Sequence, residues 1–231
     1  MVKLVDTKDL KSLPFWECQF ESGRGHHKFM SEKHKNIYSF LLNSYFYNFL
    51  QSILGATNFR KKFIKDLNIK KNAKILDIGS GTSIILKFLN EPTYYGYDVN
   101  SNNIDYAKKK FGDKGIFYNK PFTKEEVTKL PKFDYIFLFG FIHHVNDEEI
   151  LKLLKLLKTC LSKDGCVCSI DGVIEKNQNP IAKFLILKDR GKFVRTKESY
   201  IKIAKKIFSK VDTSIIHWKL FPYTYMTMIM K

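Results

Sequence analysis

Two acids and two glycines stand where they could grip a ligand. Asp77 precedes Gly79 by two residues in the run Ile75-Leu76-Asp77-Ile78-Gly79-Ser80-Gly81-Thr82-Ser83. Glycines at such a place let the chain turn tightly and bring a ligand against bare backbone amides. A dinucleotide site wants a third glycine where Ile84 stands, so that pattern is incomplete. An acid aimed at the ligand also opposes a pyrophosphate and favours a positive amino group. Asp98 follows Gly79 by 19 residues, at the end of the next apolar run. A carboxylate there accepts both hydroxyls of a ribose. Together the two acids ask for a ribose-bearing ligand with a cationic end.

The other chemistry-bearing types are histidine and arginine. His143 and His144 close the apolar run Phe133 to Phe139 and its short extension. A neutral imidazole at such a strand end can take a proton from a hydroxyl or an amine, and His143 is the nearer of the two. The competing reading is architectural, a pair that joins strand to helix. The chain has four arginines: Arg24, Arg60, Arg190 and Arg195. Arg24 and His27 lie in the basic run Gly23-Arg24-Gly25-His26-His27-Lys28, and Arg190 and Arg195 lie within six residues of each other. These four side chains are candidates for holding a carboxylate or phosphate on a substrate. Ordinary loop chemistry and a surface salt bridge compete with that. No Cys, His or carboxylate spacing suggests a metal.

The elements that must position these groups are short. From Lys74 onward apolar runs alternate with helical patterns, which predicts βαβ units around a mostly parallel sheet. Strands are expected at Lys74–Ile78, Tyr94–Asp98, Gly115–Tyr118, Phe133–Phe139 and Cys166–Ile170. A helix is expected from about Ser83 to Leu89, and another from the polar turn at Asn100 to about Phe111. Asn146 or Asp147 should cap a helix carrying Ile150, Leu153, Leu154, Leu157 and Leu161, with Lys163-Asp164-Gly165 closing it. Lys197–Phe208 reads as an amphipathic helix, and Val211–Trp218 and Tyr223–Met230 as an antiparallel pair. Residues 1–70 read as a helical, aromatic cap, and 71–231 as the ligand-binding domain. Aromatics of the cap, such as Trp16 and Tyr45, could line a substrate or serve only as core.

The stretch from Ile75 to Ile174 resembles the class I S-adenosylmethionine-dependent methyltransferases, in the ubiquinone/menaquinone-biosynthesis type of small-molecule branch. Five pieces carry the resemblance in order. They are Leu76–Thr82, Tyr95-Gly96-Tyr97-Asp98-Val99-Asn100, Phe133-Asp134-Tyr135-Ile136, Ile142-His143-His144-Val145 and Leu161-Ser162-Lys163-Asp164-Gly165. The resemblance implies a Rossmann-like α/β fold: a seven-stranded, mostly parallel sheet with helices on both faces, an antiparallel C-terminal strand and a helical N-terminal cap. It implies S-adenosylmethionine as cofactor and S-adenosylhomocysteine as product. Asp77, Gly79, Ser80 and Gly81 would hold the methionine end and Asp98 the ribose, with Val99, Asn119 and Phe141 completing the cofactor site. The family has a glycine where Ser83 stands and often an acid where Asn119 stands.

Composition bounds the rest. The chain has 231 residues, 44% hydrophobic and 27% charged, which excludes a disordered or collagen-like chain. Its net charge of +17 comes from 40 Lys+Arg against 23 Asp+Glu, almost all lysine and spread along the chain. A solvated lysine surface is the plain reading, and an RNA or DNA methyltransferase using that surface is the alternative. A degenerate scaffold without catalysis is the second alternative. Four cysteines form no disulfide framework, so a reducing, cytoplasmic setting is expected. The greasiest stretch, Ile37 to Leu54, carries too many polar residues for a membrane span. The expected partner is a small-molecule acceptor, and an anionic group on it is one option.

Overall fold

A computed structural model describes residues 56–188, 191–218 and 223–231. Helix α1 (Ala56–Asp66) leads into β1 (Lys74–Ile78), a 3₁₀ turn at Ile84–Phe88, β2 (Thr93–Tyr97), α2 (Ser101–Phe111) and β3 (Ile116–Tyr118). Then come α3 (Lys124–Val127), β4 (Phe133–Phe139), a 3₁₀ turn at Ile142–His144, α4 (Asp147–Cys160) and β5 (Leu161–Ile174). The chain continues through α5 (Pro180–Lys188), β6 (Arg195–Thr196), α6 (Lys197–Lys205), β7 (Val211–Trp218) and β8 (Tyr223–Met230).

The main sheet runs β3-β2-β1-β4-β5-β8-β7, and the two-residue β6 pairs β5 beside it. The first five strands are mutually parallel, and β8 is antiparallel to both of its neighbours. Strand order reverses between β1 and β4. A crevice therefore opens beyond their carboxyl ends, the usual ligand position in open α/β sheets.

Parallel strands are covered on both faces, so they read as nearly continuous apolar runs. Ile75, Phe137, Phe139, Cys166, Cys168 and Ile170 share one buried cluster with Phe59, Phe63 and Ile64 of α1. Leu76, Ile136, Leu138 and Val167 alternate with these and are also fully buried. Phe59 stacks on Tyr225 and Phe63 meets Phe139 edge-on, so α1 belongs to the sheet's core. That helix lies inside the stretch read from sequence as the cap; residues 1–55 lie outside the described ones.

Three expectations change. The helix after the glycine turn is only a 3₁₀ turn, because Ser83 and Glu91 take left-handed backbone and Pro92 immediately precedes β2. Its dipole contributes little, being too short. Lys163-Asp164-Gly165 does not end α4. It lies inside β5, which begins at Leu161 beside Phe133 and shifts register before Cys166. The sheet gains β6 as a further short strand.

Candidate active site

The glycine turn leaves β1 through left-handed positions at Gly79 (φ 68°), Gly81 (φ 53°) and Ser83 (φ 51°). The N–H groups of Gly79 and Ser80 both donate to the Tyr97 carbonyl, tying the turn to β2. A side chain at Gly81 would meet nothing within 4 Å, so the turn is open there. Gly79 differs: a Cβ would fall 2.7 Å from the Phe141 ring, which lies directly against it.

Asp98 stands just past β2 and bridges two elements. Its Oδ2 accepts the Gly81 N–H at 2.8 Å, and its Oδ1 accepts from Asn100 N–H (2.8 Å) and Asn103 Nδ2 (3.3 Å). Asn119 donates to the Asp98 carbonyl at 3.1 Å, so it braces the aspartate's backbone. Val99 beside it is exposed, an apolar surface at the turn's rim. The acid the family often places after β3 has no counterpart at that point. Glu126 is instead buried under the Tyr97 hydroxyl (3.0 Å) and Lys120 (2.7 Å).

Asp77 is buried, and Tyr94 donates its hydroxyl to Oδ2 at 2.6 Å. Burial pushes its carboxyl up to about 7, against the lowering pull of Tyr94 and of the Arg60 cation; the charge of Asp98 raises it further. Burial and the neighbouring Asp77 charge push the Tyr94 phenol well above its ordinary value. The two carboxylates thus stand at the ends of adjacent strands and feel each other across the turn.

A second constellation lies at the β4–β5 edge. His143 is buried, and Asp171 of β5 holds it twice. Oδ1 lies 2.7 Å from the imidazole Nδ1 and accepts the His143 backbone N–H at 3.2 Å. Burial raises the Asp171 carboxyl, while the imidazole partner lowers it. The ring of His144 lies 4.2 Å from that of His143 between centroids. Gly191 presses on His143 so closely that no side chain fits there, and Phe193 N–H donates to the His143 carbonyl at 2.9 Å.

Arg195 corrects the sequence reading. Its guanidinium is buried and all five donors are spent. Nε and Nη2 hold Asp147 at 2.8 Å, Nη1 donates to the Ile142 and Phe193 carbonyls, and Nη2 to that of Val145. Nothing remains for a substrate anion, so Arg195 clamps the turn that carries His143. Arg24, His27 and Arg190 lie outside the described residues. Sequence reasoning missed Tyr94, Arg60 and Asp171. Asp171 was findable, since it is an acid ending an apolar run as Asp77 nearly does. Arg60 had its rarity as a signal. Tyr94 had none, because only strand pairing sets it beside Asp77.

Residues 76–167 match a family described as a methyltransferase domain. The chain is 28% identical over 149 residues to phosphoethanolamine N-methyltransferase of Plasmodium falciparum, covering 62% of this chain and 53% of that protein. It is 24% identical over 245 residues to isoflavone-7-O-methyltransferase 6 of Medicago sativa, covering 96% and 68% respectively. The chain thus spans about half of the first relative and about two thirds of the second. The pyocyanin biosynthetic protein PhzM has the same fold with a TM-score of 0.62 at 18% identity, covering 84% of this chain and 61% of that one. A methyltransferase from Archaeoglobus fulgidus gives 0.59 at 16% identity, covering 81% and 100%. Residues 76–167 are thus similar to a methyltransferase domain, and the described residues share the fold of solved S-adenosylmethionine-dependent methyltransferases. Among chains of similar fold, the plantazolicin methyltransferase BamL was solved with SAH and DhpI with SAM.

Proposed function

We propose that the protein methylates a hydroxyl or amine on a small molecule, with His143 as the base and Asp171 as its positioning partner. The observation that carries this reading is the buried Asp171–His143 pair, on the same sheet edge that presents Asp77 and Asp98. The residues fit the cofactor on three counts. Gly81 leaves backbone open to it, Asp77 offers a buried carboxyl to an ammonium, and Asp98 retains acceptor capacity for a ribose hydroxyl. Ser80, Val99 and Phe141 would complete that site.

Bound there, S-adenosylmethionine supplies an electrophilic methyl group. The chain's own work is to orient and to move a proton. Asp171 accepts from Nδ1, which fixes the tautomer and leaves Nε2 as the basic nitrogen. Nε2 takes the acceptor's proton, and the Asp171 charge stabilises the imidazolium that results. Arg195, Gly191 and Phe193 hold the histidine in place. Arg24, His27 and Arg190 stay candidates for an anionic group on the acceptor. The two relatives, named for O- and N-methylation, favour these two acceptor atoms.

The tight packing of Gly191 on the imidazole favours a second reading, in which His143 is architectural. His143→Ala separates the two. Loss of methyl transfer to phenol and ethanolamine-type acceptors, with S-adenosylhomocysteine affinity and melting temperature retained, supports the base. A lowered melting temperature with the rate per folded molecule unchanged supports architecture. Transfer of labelled methyl to RNA rather than to small acceptors would favour the basic-surface alternative, and absence of cofactor binding would favour the scaffold.

A further inference from the structure

Helix α5 is apolar on both of its sides. It starts at Asn179, whose Oδ1 accepts the N–H groups of Ile181 (2.8 Å) and Ala182 (3.4 Å), with Pro180 at the first helical position. The buried Gln178 fastens that start to β5 by donating to the Val173 carbonyl at 3.1 Å. Ala182 and Ile186, one helical turn apart, are buried where the helix packs on β8 and β5. Ile181, Phe184 and Leu187 recur at every third residue on the other side and are 60%, 51% and 61% exposed. Half of the six exposed large hydrophobics among the described residues thus stand in one row on a nine-residue helix. Single exposed apolar side chains are ordinary, whereas a contiguous row marks a surface that meets something.

Charge says what that something is. From Glu175 to Lys192 the sequence has five cations, Lys176, Lys183, Lys188, Arg190 and Lys192, against the acids Glu175 and Asp189. Lys176, Lys183 and Lys192 are exposed, and Glu175 lies 3.3 Å from the His217 imidazole. A second copy of the chain would bring two charges of +17 together. A nucleic acid would attract the cations but stacks on aromatic rings, and offers no apolar medium to Ile181 and Leu187. An anionic bilayer meets both demands, since its headgroups attract lysines and its acyl boundary takes apolar side chains. From the stripe and its basic flanks we infer that α5 is the docking face for an anionic lipid surface. The helix lies in that surface and does not cross it, as no described helix is long and apolar enough to span a membrane. α5 follows the carboxyl end of β5, and two residues separate it from Gly191, which packs on His143. Docking therefore sets the lipid surface against the segment that supports the candidate base.

Co-sedimentation of the full chain with vesicles of phosphatidylcholine, alone or mixed with phosphatidylglycerol, tests this. Wild type should sediment with the mixed vesicles and far less with phosphatidylcholine alone, and added salt should weaken the binding. Ile181→Ser combined with Leu187→Ser should lower affinity for the mixed vesicles by about ten- to a hundredfold, the scale of two aliphatic side chains withheld from the acyl boundary. Ile116→Ser, which removes an exposed apolar side chain on β3, should leave that affinity unchanged. Wild type that stays in solution beside mixed vesicles overturns the inference. Equal binding by the double variant overturns it too, because lysines alone would then hold the protein, and so does an equal loss in Ile116→Ser. A wild-type dimer by light scattering, or an RNA complex, that the double variant dissolves while vesicles bind neither protein would give the stripe to that partner instead. Should the double variant fail to fold, as judged by its melting curve, Leu187→Lys decides. Weaker vesicle binding despite the added cation supports docking through the stripe, and equal or tighter binding overturns it.

Discussion

The two edges of the site treat buried charge in opposite ways. At the β1–β2 edge, Asp77 is buried with a single hydroxyl donor among the described residues, and Gly81 stands open. At the β4–β5 edge, Asp171 holds His143 by two hydrogen bonds and Arg195 has every donor engaged. A ligand that arrives and leaves needs polar groups kept waiting, which costs stability in the free protein. A base that must stay in one orientation needs its partners built in. On the function proposed above, incomplete pairing marks where the ligand would bind, and complete pairing marks what would hold the proposed base still.

Several substitutions break or sharpen that contrast. Arg195→Met should have the largest effect, because it strips donors from three carbonyls. Urea unfolding should show a loss of about 3–5 kcal/mol, with S-adenosylhomocysteine affinity intact. A matching loss of affinity would mean that the two edges are coupled. Asp98→Ala should weaken S-adenosylhomocysteine by about a hundredfold, or ~3 kcal/mol, since the ribose and the Gly81 amide lose one shared acceptor. Undiminished affinity by calorimetry would remove the ribose from this position. Asp171→Asn should slow methyl transfer by roughly ten- to a hundredfold while leaving cofactor affinity unchanged; a change in affinity alone would contradict the division of labour.

Asp77 gives a pH signature. Between the ordinary 3.8 and about 7 the native state holds a proton that the unfolded chain has lost. Stability contributed by this group therefore falls as pH rises through that window and stays low above it. Asp77→Asn should raise the melting temperature of the free protein by a few degrees at pH 8, less at pH 5, while weakening the cofactor. In wild type, affinity for the ammonium-bearing ligand should decline as pH falls below about 7. A flat profile by calorimetry would contradict that. The smallest effect is expected of Ser83→Gly. Relief of left-handed strain favours it, the extra freedom of glycine in the unfolded chain opposes it, and the net change should stay within about 1 kcal/mol in chemical unfolding.

Much of this was legible along the chain. Phe133–Phe139, Val211–Trp218 and Tyr223–Met230 form strands with the bounds their apolar runs mark, and Asn146 caps α4 through the Glu149 N–H. Asp77 and Asp98 were visible because strand, turn and next strand lie within a short span. The helix expected after Gly81 failed because Ser83 and Glu91 adopt left-handed backbone that no residue type announced. Arg195 was misread because rarity shows that an arginine matters without showing which acceptors surround it.

Periodicity and turn glycines were enough to fix the class of fold and to mark the open turn after β1, since these are local consequences of backbone sterics and apolar alternation. Pairing of distant groups was not: Tyr94 on Asp77, Asp171 on His143, the Arg195 clamp and the approach of Arg60 to Gly140 all depend on strand order and helix placement. Those contacts decide which charges are satisfied and which await a ligand, because a buried group's state is set by its neighbours in space.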